Sequence, residues 1–226
     1  MTGMDVRVFE EVVVGRIGPF PVTATMVASL SMSVALLGAA CLLRRAVGRR
    51  PDATLTAVAF LVVEAIDQAV REIVGRPAPH LVTLAGSLFL FIAGCTLAGQ
   101  LPGVRAPTAS LATTSALALI VFCAVPVAGI AARGLGGYLM HYLRPNPLLL
   151  PLHLLSEISR TVALSVRLFG NMMSGYLIVA LLVSLTGLLV PMPMMALDVL
   201  IGLLQAYIFA VLATVYIGAA IRTAEE

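Results

Sequence analysis

Glu157-Ile158-Ser159-Arg160-Thr161-Val162-Ala163-Leu164-Ser165-Val166-Arg167-Leu168-Phe169-Gly170-Asn171-Met172-Met173-Ser174-Gly175-Tyr176 lies inside an apolar run, residues 147–190, whose charged residues are Glu157, Arg160 and Arg167. A helix crosses the hydrocarbon core of a bilayer with about 20 apolar residues, so the run is long enough to span. Stepping by three and four places Glu157, Arg160, Leu164, Arg167, Asn171 and Ser174 on one helical face. A polar stripe thus runs along a segment that belongs in lipid. Arg167 is its extreme member, because an arginine at mid-depth costs about 2.5–3.5 kcal/mol on insertion scales. A carboxylate partner or a water-filled cavity has to offset that cost.

Composition agrees with a membrane location. The 226 residues are 60% hydrophobic and 11% charged, with a mean hydropathy of +1.05. Soluble domains carry about a quarter charged residues. All 14 basic residues are arginine, and no basic run interleaves with aromatics, so no nucleic-acid partner is expected. Cys41, Cys95 and Cys123 stand at wide spacings within uncharged stretches and read as small packing residues. Asp5, Glu10 and Glu11 occupy the place where a cleavable signal would carry positive charge, so the first apolar segment is expected to remain as a span.

Working outward, uncharged stretches at 22–43, 81–101 and 106–132 read as further spans, the third with a kink at Pro126. Pro191-Met192-Pro193 breaks the long run, and 194–221 forms the final span. Residues 54–75 differ in kind. Glu64, Asp67, Arg71 and Glu72 lie to one side, while Val62, Val63, Ile66, Val70 and Ile73 recur at helical spacing. That pattern describes an amphipathic helix lying on the bilayer interface, and Gly136 to Tyr142 reads as a shorter interfacial piece. The expectation is one all-α integral membrane domain over residues 1–226, with about five transmembrane helices (147–190 the fourth) and one interfacial helix. With the C-terminus in the cytoplasm, Arg44, Arg45, Arg49, Arg50, Arg71, Arg76, Arg133, Arg144 and Arg222 face inward. Arg7, Arg16 and Arg105 face outward, so the positive-inside rule favours N-terminus out and C-terminus in.

In the final span Asp198, Gly202, Gln205 and Phe209 share a face. Glu157 lies ten residues from Arg167, about 15 Å along a helix, and Asp198 lies about 10 Å from Gln205. If Arg167 and Gln205 stand level at the midplane, the acid that matches Arg167 must come from another subunit. Glu157 then approaches the arginine from the cytoplasmic side, and Asn171, Ser174, Tyr176 and Asp198 from the outer side. Two half-channels separated by a fixed positive charge have that arrangement. Plainer roles compete residue by residue: Ser174, Asn171 and Gln205 as glue between helices, Tyr176 as packing, and Asp198 as the cap of the last helix.

Ser165-Val166-Arg167-Leu168-Phe169-Gly170-Asn171-Met172 resembles the signature of the a subunit of F-type ATP synthases. Leu204-Gln205-Ala206-Tyr207-Ile208-Phe209 resembles that family's second motif. Leu101-Pro102-Gly103, Pro107-Thr108 and Gly134 to Gly137 follow the family's order, so the likeness covers the chain from about residue 54 onward. It implies a non-catalytic, ion-translocating subunit of a bacterial inner membrane, without cofactor or bound metal. Its last two helices would be long and tilted against a c-ring, with the subunit b peripheral stalk as a further partner. Arg167 would face the c-ring carboxylate, Asn171 and Gln205 would be its polar neighbours on the outer path, and Glu157 would lie near the family's cytoplasmic-side acid. Tyr176 and Asp198 depart from the Glu or His often found at those places, and Ala109-Ser110 stand where an acid often follows Pro-Thr. The outer path therefore leans on Asp198 as its ionisable group. These swaps and the short N-terminus resemble the family's alternative, partly sodium-linked branch.

Two other classes are weighed. His153 and Glu157, four apart on a helix, with His141 as a third ligand, would suit an intramembrane metallohydrolase, although no His-Glu-x-x-His is present and Pro145, Pro147 and Pro151 interrupt the approach. A small secondary transporter lacks support from an inverted repeat. No phosphate-cradling glycine loop with a lysine exists, so ATP chemistry would belong to partner subunits.

Overall fold

The computed structural model describes residues 13–17, 20–49, 54–75, 78–100, 106–143, 150–187 and 190–222. Two short antiparallel strands, β1 (Val13–Ile17) and β2 (Phe20–Thr23), precede the helices. The helices are α1 (Ala24–Arg49), α2 (Thr54–Val74), α3 (Pro79–Gly99), α4 (Leu111–Leu143), α5 (Leu150–Thr186) and α6 (Pro191–Arg222). A buried 3-10 turn, Pro107–Ala109, leads into α4. Among the described residues five helices, all but α2, are long and apolar enough to cross a membrane. The domain is therefore all-helical in its membrane part.

The core lies between α3, α4, α5 and α6. Ile92, Val121, Leu168 and Phe209, one from each helix, meet in its centre and are essentially without exposure. Lipid offers apolar side chains no reason to leave it, so this association depends on close packing. Small residues supply it: Ala93, Ala118, Ala206 and Ala213 are all buried in the same cluster. Gly202 of α6 is a point of close approach, since a Cβ there would overlap the side chain of Thr96 on α3. The outer surface is the reverse, with Leu30, Leu61, Val127, Leu152 and Leu185 each more than 60% exposed. Patches of that extent need lipid or partner helices against them.

Helix α2 packs one stripe, Val70 and Val74 with Ile66 and Ile73, against Leu81 and Ala85 of α3 and Ala210 and Ile217 of α6. Val63 is not part of that stripe and is exposed. The polar side carries an Asp67–Arg71 pair at 2.7 Å and a Gln68–Glu72 hydrogen bond at 3.0 Å. Such exposed pairs are worth under about 1 kcal/mol, so the apolar stripe holds the helix.

Chain breaks fall at glycines. The backbone of α4 leaves helical values at Gly134 (φ 75°, ψ 164°), while Pro126 lies inside the helix. Only glycine adopts that conformation without a steric penalty, whereas a membrane helix tolerates an interior proline when its neighbours re-satisfy the freed carbonyl. Similarly, α5 ends before Gly187 (φ 73°), and Pro191 opens α6 instead of merely separating the two. Left-handed glycine suits a helix end and proline suits a first turn, where its missing N–H is no loss. Gly202→Ala should destabilise the purified protein in detergent by about 1–3 kcal/mol through overpacking. Adding Thr96→Ala, which removes the two nearest atoms, should recover most of the loss in a thermal-unfolding series. An unchanged midpoint for Gly202→Ala would mean α3 and α6 pack differently.

Candidate functional site

Helices α5 and α6 run antiparallel, and two contacts set their register. The carboxylate of Asp198 lies against Gly175, where a Cβ would overlap it. The Arg160 guanidinium lies over the Tyr216 ring, 4.4 Å from its centroid. Arg167 is midway between the α5 members of these contacts and therefore stands level with Tyr207, midway between the α6 members. Gln205 is less than one turn away, towards Asp198. The two residues thus stand at nearly the same depth in the helix pair.

Their surroundings differ. Gln205 is buried, and its Nε2 has no hydrogen-bond partner among the described residues. Arg167 is exposed on the side of α5, and its guanidinium makes no hydrogen bond or ion pair with the described residues. The supposed single polar face of α5 is in fact split. Leu164 and Leu168 are in the core, Arg160 and Asn171 are half-buried, and Arg167 and Ser174 are exposed, so the polar groups follow the edge of the packed surface. Around Arg167, Ala163, Val166 and Gly170 are also exposed, giving that face short side chains.

On the Asp198 side a small cleft opens between α5 and α6. Asn171, Ser174, Gly175 and Asp198 line it together with apolar side chains including Ile178 and Ile201. The structure thus brings Asn171, Ser174 and Asp198 together. Ser174 donates to the Asn171 carbonyl oxygen at 2.9 Å, which satisfies its proton locally. Tyr176 is exposed and does not line the cleft. Glu157 is half-buried on the far side of Arg167, beyond Arg160.

Three features escaped the sequence reading. Gln100, just past the end of α3, donates from Nε2 to Oδ2 of Asp198 at 3.0 Å. A lone amide at a span end gives no sign of its partner 98 residues away. Asp198 is not a cap, because α6 begins at Pro191 and places the carboxylate beyond the first turn. Arg160 is offset by the face of Tyr216, a cation–π contact that no i,i+4 rule predicts. Thr108, in the 3-10 turn, is fully buried with no partner for its hydroxyl among the described residues. No cluster of three His, Cys, Asp or Glu side chains suited to a metal occurs among the described residues, and the His141 side chain lies outside them.

Comparison with known proteins gives one consistent result. The family described as ATP synthase A chain matches residues 19–218. A protein named ATP synthase subunit a 2, from Bradyrhizobium sp. (strain BTAi1), is 44% identical over 206 residues, covering 91% of this chain and 92% of the relative. ATP synthase subunit a of Albidiferax ferrireducens is 50% identical over 162 residues, 72% of this chain and 70% of the relative. ATP synthase subunit a 1 of Chlorobaculum parvum is 43% identical over 223 residues, 96% of each.

The two arginines of α5 should behave differently. Tyr216→Leu removes the ring under Arg160, and a double-mutant cycle with Arg160→Leu should show a coupling of about 0.5–2 kcal/mol in thermal unfolding. The same cycle between Tyr216 and Arg167 should show none. Equal coupling to both would contradict the register set by these contacts.

Proposed function

The chain belongs to the ATP synthase A chain family, and from that premise we propose that it is the ion-conducting stator of a rotary ATP synthase. It is a multi-pass membrane protein and works as one subunit of a larger complex. The observation that carries the reading is Arg167, exposed halfway along a membrane-crossing helix with no partner among the described residues. A full charge there is too costly to leave without negative charge or water beside it. The short side chains at Ala163 and Gly170 allow another helix to approach closely. The partner fitting that face carries a carboxylate at the same depth, as a c-ring does. The subunit b stalk is a second partner, bound elsewhere on the complex.

Function follows from charge and position. A ring carboxylate arriving with its ion, a proton or a sodium ion, meets the guanidinium. It releases the ion and pairs transiently with Arg167. Arginine suits this role because its guanidinium stays charged in a low-dielectric setting where a lysine could lose its proton. The fixed charge also repels any cation that would pass straight through, so entry and exit must be separate. The outer path comprises Asp198, Asn171 and Ser174 in the cleft, then Gln205, whose buried donor is a place for water. Tyr176, exposed on α5 and outside the cleft, belongs to this path only if water extends beyond the cleft. The inner path holds Glu157, about 15 Å from Arg167 along α5. With the N-terminus outside and the C-terminus in the cytoplasm, an ion leaves one path only after the ring has carried it round. One charge crossing 100 mV yields about 2.3 kcal/mol, so several must pass for each ATP. The subunit performs no bond chemistry itself.

In vesicles carrying the whole complex, Arg167→Ala should abolish ion-driven ATP synthesis and ATP-driven pumping while the complex still assembles. Arg167→Lys should also be severely impaired, since it removes the delocalised charge and forked geometry. Parental coupled transport in Arg167→Ala would overturn the stator reading.

A further inference from the structure

We propose that Gln100 is a positioning residue for the outer path, holding the Asp198 carboxylate in the orientation in which it takes up and hands on an ion. The proposal rests on the half-channel reading given above and adds to it a residue from a third helix. Three elements meet at this carboxylate. Oδ2 accepts from Nε2 of Gln100 at the end of α3, at 3.0 Å. Oδ1 lies against Gly175 of α5, where any Cβ would displace it. Asp198 itself comes from α6, beyond that helix's first turn. Among the described residues no cation contacts the carboxylate, and no other titratable side chain lines the cleft.

The chemistry of an amide explains why this partner suits an ion relay. A guanidinium or ammonium in its place would form an ion pair and hold the carboxylate permanently in its charged form. A methyl group would leave the carboxylate free to rotate away from the cleft. The primary amide has two donor hydrogens and an acceptor oxygen on one planar group. Its N–H donates to the ion-free carboxylate, and its carbonyl can accept from the protonated carboxyl or share a bound cation. Gln100 can therefore accompany Asp198 through loading and unloading without neutralising it. Its backbone is tied down as well, because its N–H bonds to the Leu97 carbonyl at 3.2 Å. The side chain thus reaches from a fixed point.

The test uses the assembled complex in vesicles, with ATP synthesis measured as the outer-face ion supply is titrated, once as pH at fixed sodium and once as sodium at fixed pH. Gln100→Met keeps the volume and removes the hydrogen bond, and Gln100→Ala is the second variant should the first fail to assemble. Loss of a hydrogen bond to a charged group should raise the outer-side ion concentration for half-maximal rate by about tenfold, with the saturating rate kept within about twofold. A residue that mattered only for structure would instead lower the saturating rate or the amount of assembled complex. Gln100→Glu combined with Asp198→Asn restores one carboxylate and one amide to the pair, and should transport faster than either single variant. Unchanged half-saturation in the Gln100 variants, or a swap no better than the single variants, would overturn the positioning role. Asp198→Ala separates the two levels. If it abolishes transport while Gln100→Met behaves as the parent, the positioning proposal alone falls. If it transports like the parent, the outer-path role of Asp198 falls and this proposal with it.

Discussion

A guanidinium in the middle of a membrane-crossing helix has to find negative charge or water, and much of this molecule is arranged around that constraint. Arg160 meets it within the chain through the face of Tyr216. Arg167, two turns further on, does not, since its side chain lies exposed on α5 and makes no contact of that kind with the described residues. The contrast between two arginines on one helix is what turns a polar stripe into a directional statement. One arginine is held inside the helix pair, and the other is left exposed on its surface.

Holding Arg167 at its depth is a packing problem, because lipid supplies no driving force to gather apolar helices. Helix α6 resolves it by touching α2, α3, α4 and α5. It does so with Ala206, Ala210 and Ala213, and with Gly202 against Thr96, where side chains are too small to hold the backbones apart. The register that results places Gln205 beside Arg167 in depth and Asp198 about two turns further out. The same close approach at Gly175 leaves room for the Asp198 carboxylate. Packing and the setting of the Asp198 carboxylate are therefore one arrangement, and a methyl group added at either glycine would disturb it.

The expectations that needed correcting share a cause. Pro191-Met192-Pro193 reads as the break between the last two helices because proline removes a helix hydrogen bond. Yet the backbone turns at Gly134 and Gly187, where positive φ is allowed. The cap that competes with an ionisable role for Asp198 assumes a helix starting at residue 194, and a start at Pro191 moves the residue beyond the first turn. The even polar stripe on α5 divides into core, edge and surface once α4 and α6 cover part of it. Each of these depends on where a neighbouring element lies, which local rules do not contain.

From sequence alone came the all-helical membrane class, the family, the stranded charge at Arg167 and its companions Asn171, Gln205 and Asp198. The family came from the resemblance of the two motifs around Arg167 and Gln205, and the rest follows from local quantities: hydropathy over about 20 residues, a period of 3.6, and the cost of a charge in lipid. Tertiary structure alone decided that Gln100 binds Asp198, that Tyr216 lies under Arg160, that Gln205 is buried while Arg167 is exposed, and that Tyr176 is outside the cleft. A helix period says which residues share a face, but not what stands opposite it. That depends on the register between helices, set here by side chains as small as Gly175 and Gly202.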